Sequence, residues 1–265
     1  MLGNNRSLLI IAGPCVIESS DLCLSIARHV KLICDRLGLT YVFKASFDKA
    51  NRSSNSSFRG PGLTDGLVVL ERIKGELGIP VLTDVHEVAQ VPVAAKVVDI
   101  LQVPAFLARQ TDLLLACGQT GRAVNVKKGQ FMSPQEMGNA IDKVRSAGGG
   151  EILLTERGTF FGYNRLVNDF TGLAVMKTFG CPVIFDITHS TQQPAGLGTQ
   201  SGGNPQYSPL LARAAVAAGV DGLFLECHPD PKAAKSDAAT MLRLEDVEPL
   251  LTQAKQIADL RKSWA

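Results

Sequence analysis

Eight short β-rich apolar runs, each followed by a segment of helical periodicity, constrain this chain more than any other feature. The runs are residues 8–12, 40–44, 80–84, 99–103, 123–127, 151–155, 182–187 and 222–226. Their apolar character is continuous rather than strictly alternating, which suits parallel strands buried on both faces. Between them, residues 66–77, 111–118, 134–147, 166–179, 208–218 and 244–262 carry amphipathic helical patterns. Ser20 or Asp21 caps a further helix, with Leu22, Ile26, Val30, Ile33 and Leu37 on one stripe and Gly38 as its stop. Residues 88–97 are weaker because Pro92 falls inside them, so that helix is short or starts at the proline.

Regular strand–helix alternation predicts a parallel sheet. Eight comparable units in 265 residues favour closure into a (β/α)8 barrel, a fold that needs about 250 residues. The chain is therefore expected to be one α/β domain over 1–265. An open doubly wound sheet is the main competitor, but no G-x-G-x-x-G follows a predicted strand. A net charge of +2 and a pI near 8.2 are too mild to argue for nucleic acid or a membrane surface. No apolar run approaches the roughly 20 residues that cross a bilayer. Run 8–12 is too short for a signal core and leads into Gly13-Pro14, so a cytoplasmic protein is expected. Cysteines 15, 23, 34, 117, 181 and 227 show no C-x-x-C spacing and read as buried small hydrophobes, with Cys15 the exception.

Barrel enzymes build their sites at the C-terminal ends of the strands. The first run here leads into Cys15. The second leads into Lys44, Ser46, Lys49, Asn51, Arg52 and Ser53. The third ends in Asp84 and His86, the fourth in Gln102, Phe106 and Arg109, and the fifth in Asn125, Lys127 and Lys128. The last three end in Glu156-Arg157-Gly158, in Asp186 and His189, and in Glu226 and His228. The opposite ends are largely Gly, Pro and apolar.

Any one of these cations alone reads as a solvated surface charge. Lys44, Lys49, Arg52, Arg109, Lys127 and Arg157 gathered at one cavity would repel one another unless anions sit among them. They imply a phosphate with a carboxylate or a second phosphate. Cys15, His189, Glu226 and Asp237 form a mixed soft and hard set suited to one divalent metal, whether zinc, iron, manganese or cobalt. Their wide separation makes spacing alone weak, and a packed cysteine with a hydrogen-bonded histidine is the bland alternative. Cys227 should point away from the axis if Glu226 points in. His228 either positions Glu226 or caps its turn, His86 is a supporting partner or a loop residue, and His29 reads as a helix surface residue. The glycine-rich segment 196–203 can close over a substrate or bring backbone amides to phosphate.

At these motifs the chain resembles the 3-deoxy-D-manno-octulosonate 8-phosphate synthase family over nearly its whole length. The carrying segments are Gly13-Pro14-Cys15-Val16-Ile17-Glu18-Ser19, residues 44–53, Thr83-Asp84-Val85-His86-Glu87, residues 104–111, residues 125–131, Glu156-Arg157-Gly158, Asp186-Ile187-Thr188-His189-Ser190 and residues 226–229. The resemblance implies condensation of phosphoenolpyruvate with D-arabinose 5-phosphate for lipopolysaccharide, with release of phosphate. It further implies a homotetramer in which a neighbouring subunit contributes to each site.

By that resemblance Lys44, Lys49, Lys127 and Arg157 would bind phosphoenolpyruvate. Asn51, Arg52, Ser53 and Arg109 would hold the sugar phosphate, with Phe106 and Arg109 near the subunit contact. Ser46, Asp84 and Gln102 would line the site, and Lys49, Asp84, Lys127, Arg157, His189 and Asp237 would form the catalytic set. Relatives that need no metal carry Asn at the place of Cys15 and Cys-Asp-Gly-Pro at Ser236-Asp237-Ala238-Ala239, so both markers point to the metal-dependent class. The rival is 3-deoxy-D-arabino-heptulosonate 7-phosphate synthase, which uses erythrose 4-phosphate and shows Lys-Pro-Arg-Thr where this chain has Lys49-Ala50-Asn51-Arg52-Ser53. A non-catalytic sugar-phosphate sensor is a further alternative, motivated by departures at Asn204-Pro205-Gln206 and Met241-Leu242-Arg243.

Overall fold

Each apolar run becomes a parallel strand in the computed structural model, which describes residues 7–52, 54, 56–194, 196 and 201–264. The strands are β1 (Leu9–Gly13), β2 (Thr40–Lys44), β3 (Val81–Asp84), β4 (Ile100–Val103), β5 (Ala123–Lys127), β6 (Ile152–Glu156), β7 (Val183–Asp186) and β8 (Gly222–His228). They pair in chain order, and β8 returns to pair with β1 from Leu9 opposite Gly222 to Gly13 opposite Glu226. That last ladder closes the expected (β/α)8 barrel. Among the described residues the helices are α1 (Ser20–Leu37), α2 (Leu63–Leu77), α3 (Val91–Ala94), α4 (Thr111–Gln119), α5 (Met137–Ser146), α6 (Thr171–Lys177), α7 (Ser208–Ala218) and α8 (Val247–Arg261).

Side chains alternate across a strand, and this divides the apolar residues into two cores. Leu9, Ile11, Val42, Leu82, Ile100, Leu153, Ile184 and Phe224 fill the barrel interior. The residues that alternate with them, such as Ile10, Phe43, Leu101 and Leu154, face the helices and belong to one core with Ile26, Leu70, Ile141 and Leu251. Cys227 belongs to this outer core, as its parity with Glu226 requires.

Two residues further along each inward row, the chemistry changes. Val42 is followed by Lys44, Leu82 by Asp84, Ile100 by Gln102, Leu153 by Thr155, Ile184 by Asp186 and Phe224 by Glu226, all of them buried. One end of the barrel interior is hydrocarbon and the other is polar. Glycine is needed where β1 ends, because a Cβ on Gly13 would collide with the Lys44 carbonyl oxygen. The close approach of these two strands brings Cys15 over the mouth.

Several boundaries differ from the sequence expectation for local reasons. Ser19, not Ser20 or Asp21, caps α1, its hydroxyl accepting the Leu22 N–H at 3.2 Å; Gly38 stops the helix at φ 64°. Only Thr171–Lys177 of the expected helix 166–179 is helical, and Leu166–Val167 instead pairs antiparallel with Thr159–Phe160. Asp169 delays the start, since its Oδ1 accepts both the N–H (2.9 Å) and the hydroxyl (2.6 Å) of Thr171. Residues 134–136 form a turn rather than helix, with Glu136 accepting the Ser133 N–H at 2.8 Å. Pro92 sits in the first turn of the short α3, where it costs no hydrogen bond.

Of the glycine-rich segment 196–203, residues 197–200 lie outside the described residues. Gly202–Gly203 pairs with Gln192–Gln193 beside the mouth. Asn204-Pro205-Gln206 leads into a 3-10 turn that opens α7. No described helix is long and apolar enough to cross a membrane.

Candidate active site

At the C-terminal ends of the strands lies a cavity partly open to solvent. Lys44, Lys49, Asp84, Gln102, Lys127, Arg157, His189 and Glu226 line it, with Asn51 and Phe106 at its edge. Four of the six expected cations therefore share one space. Arg52 is held elsewhere: its Nε and Nη2 donate to the Phe58 carbonyl oxygen at 3.0 and 2.9 Å, and Nη2 also donates to the Lys235 carbonyl oxygen at 3.0 Å. Arg109 is exposed and is not among the lining residues, because the 3-10 turn Ala105–Leu107 carries the chain outward after β4. Ser53 lies outside the described residues.

Lys44 and Lys127 are paired with carboxylates inside the barrel. Lys44 Nζ donates to Glu226 Oε1 at 2.6 Å and to the Cys15 carbonyl oxygen at 3.0 Å. Burial alone would lower this ammonium, but Glu226 together with Asp84 and Cys15 outweighs it and leaves Lys44 raised. Burial would likewise lift Asp84, yet Lys44 and Lys49 hold its carboxyl below the usual carboxylate range. Lys127 Nζ pairs with Asp186 Oδ2 at 2.7 Å and sits 3.9 Å above the centre of the Phe224 ring, a contact worth about 2 kcal/mol when desolvated. Asp186 accepts from His189 Nδ1 at 2.7 Å and from the His189 N–H at 2.8 Å. This fixes the ring with Nε2 turned to the mouth.

Arg157 differs from the lysines. It is 4% exposed and has one side-chain partner, Gln192 Oε1 at 2.8 Å from Nη2. Among the described residues its Nε and Nη1 are buried without a partner. Burial lowers this guanidinium against the opposing pull of Asp186 and Asp237. A buried cation with unmet donors is costly, and a carboxylate or phosphate matches that fork. Next to it in sequence, Glu156 faces the other way, within 3.6 Å of buried Lys128, and accepts the Gly158 N–H at 2.6 Å. Those contacts clamp the turn that aims Arg157 inward.

The four metal ligands proposed from the sequence meet beside these cations, with Lys44 Nζ bonded to Glu226 and Lys127 Nζ 3.4 Å from His189 Nδ1. Donor atoms of Cys15, Glu226 and Asp237 lie within 4.8 Å of one another. His189 Nε2 is 3.8 Å from Glu226 Oε2 and 3.6 Å from Asp237 Oδ2. Glu226 Oε2 is buried with no hydrogen-bond partner, an acceptor left open toward the cluster. Burial, with Asp237 and Glu226, pushes the Cys15 thiol well up; its single S–H donates to Asp237 Oδ2 at 3.0 Å, and Ser236 Oγ lies 3.0 Å from the same sulfur. Asp237 adopts φ 48°, a left-handed conformation that costs a non-glycine residue free energy. Its carbonyl oxygen accepts the Thr240 and Met241 N–H groups at 3.0 and 3.2 Å, which hold that turn. A thiol, an imidazole and two carboxylates, one of them unsatisfied, fit a divalent cation.

Sequence reasoning gave no role to Asp186, Gln130 or Gln192. Parity with Ile184 marks Asp186 as inward-facing. Gln130 lines the cavity with its Oε1 unpaired, but it follows β5 in a loop where no period applies. His228 proves a turn cap, its Nδ1 accepting the Asp230 N–H at 3.0 Å. His86 lines the cavity, and His29 is exposed.

A closed parallel barrel whose mouth gathers anion-seeking cations beside a metal-suited cluster defines a phosphate-handling barrel enzyme. Residues 1–263 match the DAHP synthetase I family, and the chain belongs to that family. The 2-dehydro-3-deoxyphosphooctonate aldolase of Synechococcus sp. is 54% identical over 258 residues, 97% of this chain and 91% of its own length. Its namesake in Syntrophotalea carbinolica is 55% identical over 255 residues, 96% of this chain and 92% of its own. That of Fusobacterium nucleatum is 52% identical over 262 residues, 99% of this chain and 94% of its own.

Proposed function

We propose that this protein condenses phosphoenolpyruvate with D-arabinose 5-phosphate and water, giving 3-deoxy-D-manno-octulosonate 8-phosphate and inorganic phosphate for lipopolysaccharide synthesis. The observation that carries this reading is the buried Arg157 with Nε and Nη1 unpaired, in one cavity with Lys44, Lys49 and Lys127. That wall suits the carboxylate and phosphate of phosphoenolpyruvate. Asn51, which lines the cavity, takes the sugar phosphate, and Arg52 and Ser53 are assigned to the same group by their places in the sequence. Ser46, Asp84 and Gln102 lie between the two.

Carbon 3 of phosphoenolpyruvate bonds to the aldehyde carbon, water adds at carbon 2, and the carbon 2–oxygen bond to phosphate breaks. Lys127 and Arg157 neutralise the phosphate as it leaves, and Lys49 offers its Nζ protons to oxygen that gains charge. Asp84 stays ionised and accepts hydrogen bonds from substrate hydroxyl or water. Cys15, His189, Glu226 and Asp237 would hold one zinc, iron, manganese or cobalt ion. When bound, such an ion supplies Lewis-acid polarisation and orientation of an oxygen ligand.

The protein works in the cytoplasm as a homotetramer, with residues 1–265 as one catalytic domain. Phe106, 52% exposed, and the exposed Arg109 support a neighbouring subunit at the mouth. Offered phosphoenolpyruvate with either aldose phosphate, the enzyme is expected to prefer arabinose 5-phosphate over erythrose 4-phosphate by at least about tenfold in kcat/KM. Mass spectrometry of the products checks this. A preference for erythrose 4-phosphate contradicts the assignment, and phosphate release from neither leaves a sensor.

A further inference from the structure

Beneath the cavity, Thr155 and Asn125, two polar side chains that the reading above leaves without work, begin a row that runs up to Gln102 and Asp84 in its lining. Thr155 Oγ1 donates to Asn125 Oδ1 at 2.7 Å, Asn125 Nδ2 to Gln102 Oε1 at 2.8 Å, and Gln102 Nε2 to Asp84 Oδ1 at 2.6 Å. The row crosses from β6 to β3. Thr155 and Asn125 are fully buried and do not line the cavity. Branched hydrocarbon normally fills this layer of a barrel, and it would pack without any hydrogen bond to satisfy. Polarity at these positions needs a reason other than packing.

The direction of the row supplies one. An ionised carboxylate only accepts, so Gln102 must turn its amide nitrogen to Asp84 and its oxygen to Asn125. Asn125 must then give its nitrogen to Gln102 and its oxygen to Thr155, whose hydroxyl must donate. Every donor along the row thus points at Asp84, and each bond polarises the next. The other carboxylate oxygen of Asp84 accepts the Ser46 hydroxyl. Ser46 Oγ in turn lies 3.5 Å from Lys49 Nζ, and Lys44 Nζ lies 3.9 Å from Asp84.

We propose that Thr155 and Asn125 are positioning residues, a one-way hydrogen-bond relay that sets Gln102 and the anionic Asp84, and through Ser46 the Lys49 ammonium, for the condensation. This rests on the proposed reaction and extends it to residues that touch no substrate. The relay acts on the reacting geometry rather than on substrate affinity, so its loss appears in kcat and not in KM.

The test compares Thr155→Val with Thr155→Ser. Valine keeps the shape and loses the hydroxyl; serine keeps the hydroxyl and leaves a small void. A packing role makes serine the worse variant, whereas the relay makes valine the worse. The expected result is a kcat about tenfold lower for valine, with both KM values within about threefold of wild type, and a serine kcat within about twofold despite its lower melting temperature. Equal kcat values, or losses that follow melting temperature, overturn the relay. Should valine fail to fold, Thr155→Ala set against Thr155→Ser repeats the comparison with two voids and one hydroxyl; the same tenfold gap supports the relay and its absence overturns it. A wild type that releases no phosphate overturns the condensation reading, and the relay's part in it. An active wild type with a flat comparison overturns the relay alone.

Discussion

Arg157→Ala is expected to lower kcat about a thousandfold, or about 4 kcal/mol of transition-state stabilisation, while leaving the protein at least as resistant to unfolding. The two halves of that result have one cause. Arg157 holds a charge at 4% exposure with two donor atoms unpaired, which destabilises the fold. Only an anion between those donors and Lys127 makes the arrangement favourable. Removing the guanidinium therefore relieves the protein and ruins the site. Phosphate-release kinetics and a denaturation curve measured on one sample check both halves. A near-normal rate would remove Arg157 from the chemistry, and a stability loss of several kcal/mol would make it a structural residue.

Asp186→Asn should weaken binding of the divalent ion and slow turnover, each by about 10–100-fold. Asp186 Oδ2 lies 2.7 Å from both Lys127 Nζ and His189 Nδ1, serving the cationic wall and the metal cluster at once. Its Oδ1 accepts the Thr188 and His189 N–H groups at 3.1 and 2.8 Å, so an amide must set its NH2 against either the two backbone donors or the two side-chain donors. His189 then loses the contact that turns Nε2 toward Glu226 and Asp237, and Lys127 loses its counter-charge. Competition between the protein and a coloured chelator for cobalt measures the first effect, and steady-state rates measure the second. Unchanged cobalt affinity would show that His189 needs no such support.

The strands were legible because burial on both faces writes itself as unbroken apolar runs, and the barrel because eight of them alternate with helices. The mouth was legible for a related reason: each inward row turns polar at one end, as in Ile184 to Asp186 and Phe224 to Glu226. Local competition escaped the sequence reading. Asp169 captures the backbone at Thr171 and converts the first turns of an expected helix into a strand pair, an outcome decided by one carboxylate against several apolar residues. Arg52 and Arg109 sat at the right end of their strands, yet a position after a strand says nothing of where a loop carries the side chain. The relay from Thr155 to Asp84 also stayed hidden, since it runs across four strands rather than along any period within one.

The account stands on phosphoenolpyruvate and the divalent ion occupying one pocket mouth. Phosphorus relaxation of phosphoenolpyruvate, measured with the protein carrying cobalt, tests this without turnover. The account predicts strong paramagnetic enhancement of the phosphate signal on binding, lost in Arg157→Ala and absent when a diamagnetic zinc ion replaces cobalt. Phosphoenolpyruvate that binds the cobalt protein with no enhancement would place the two groups apart and contradict it.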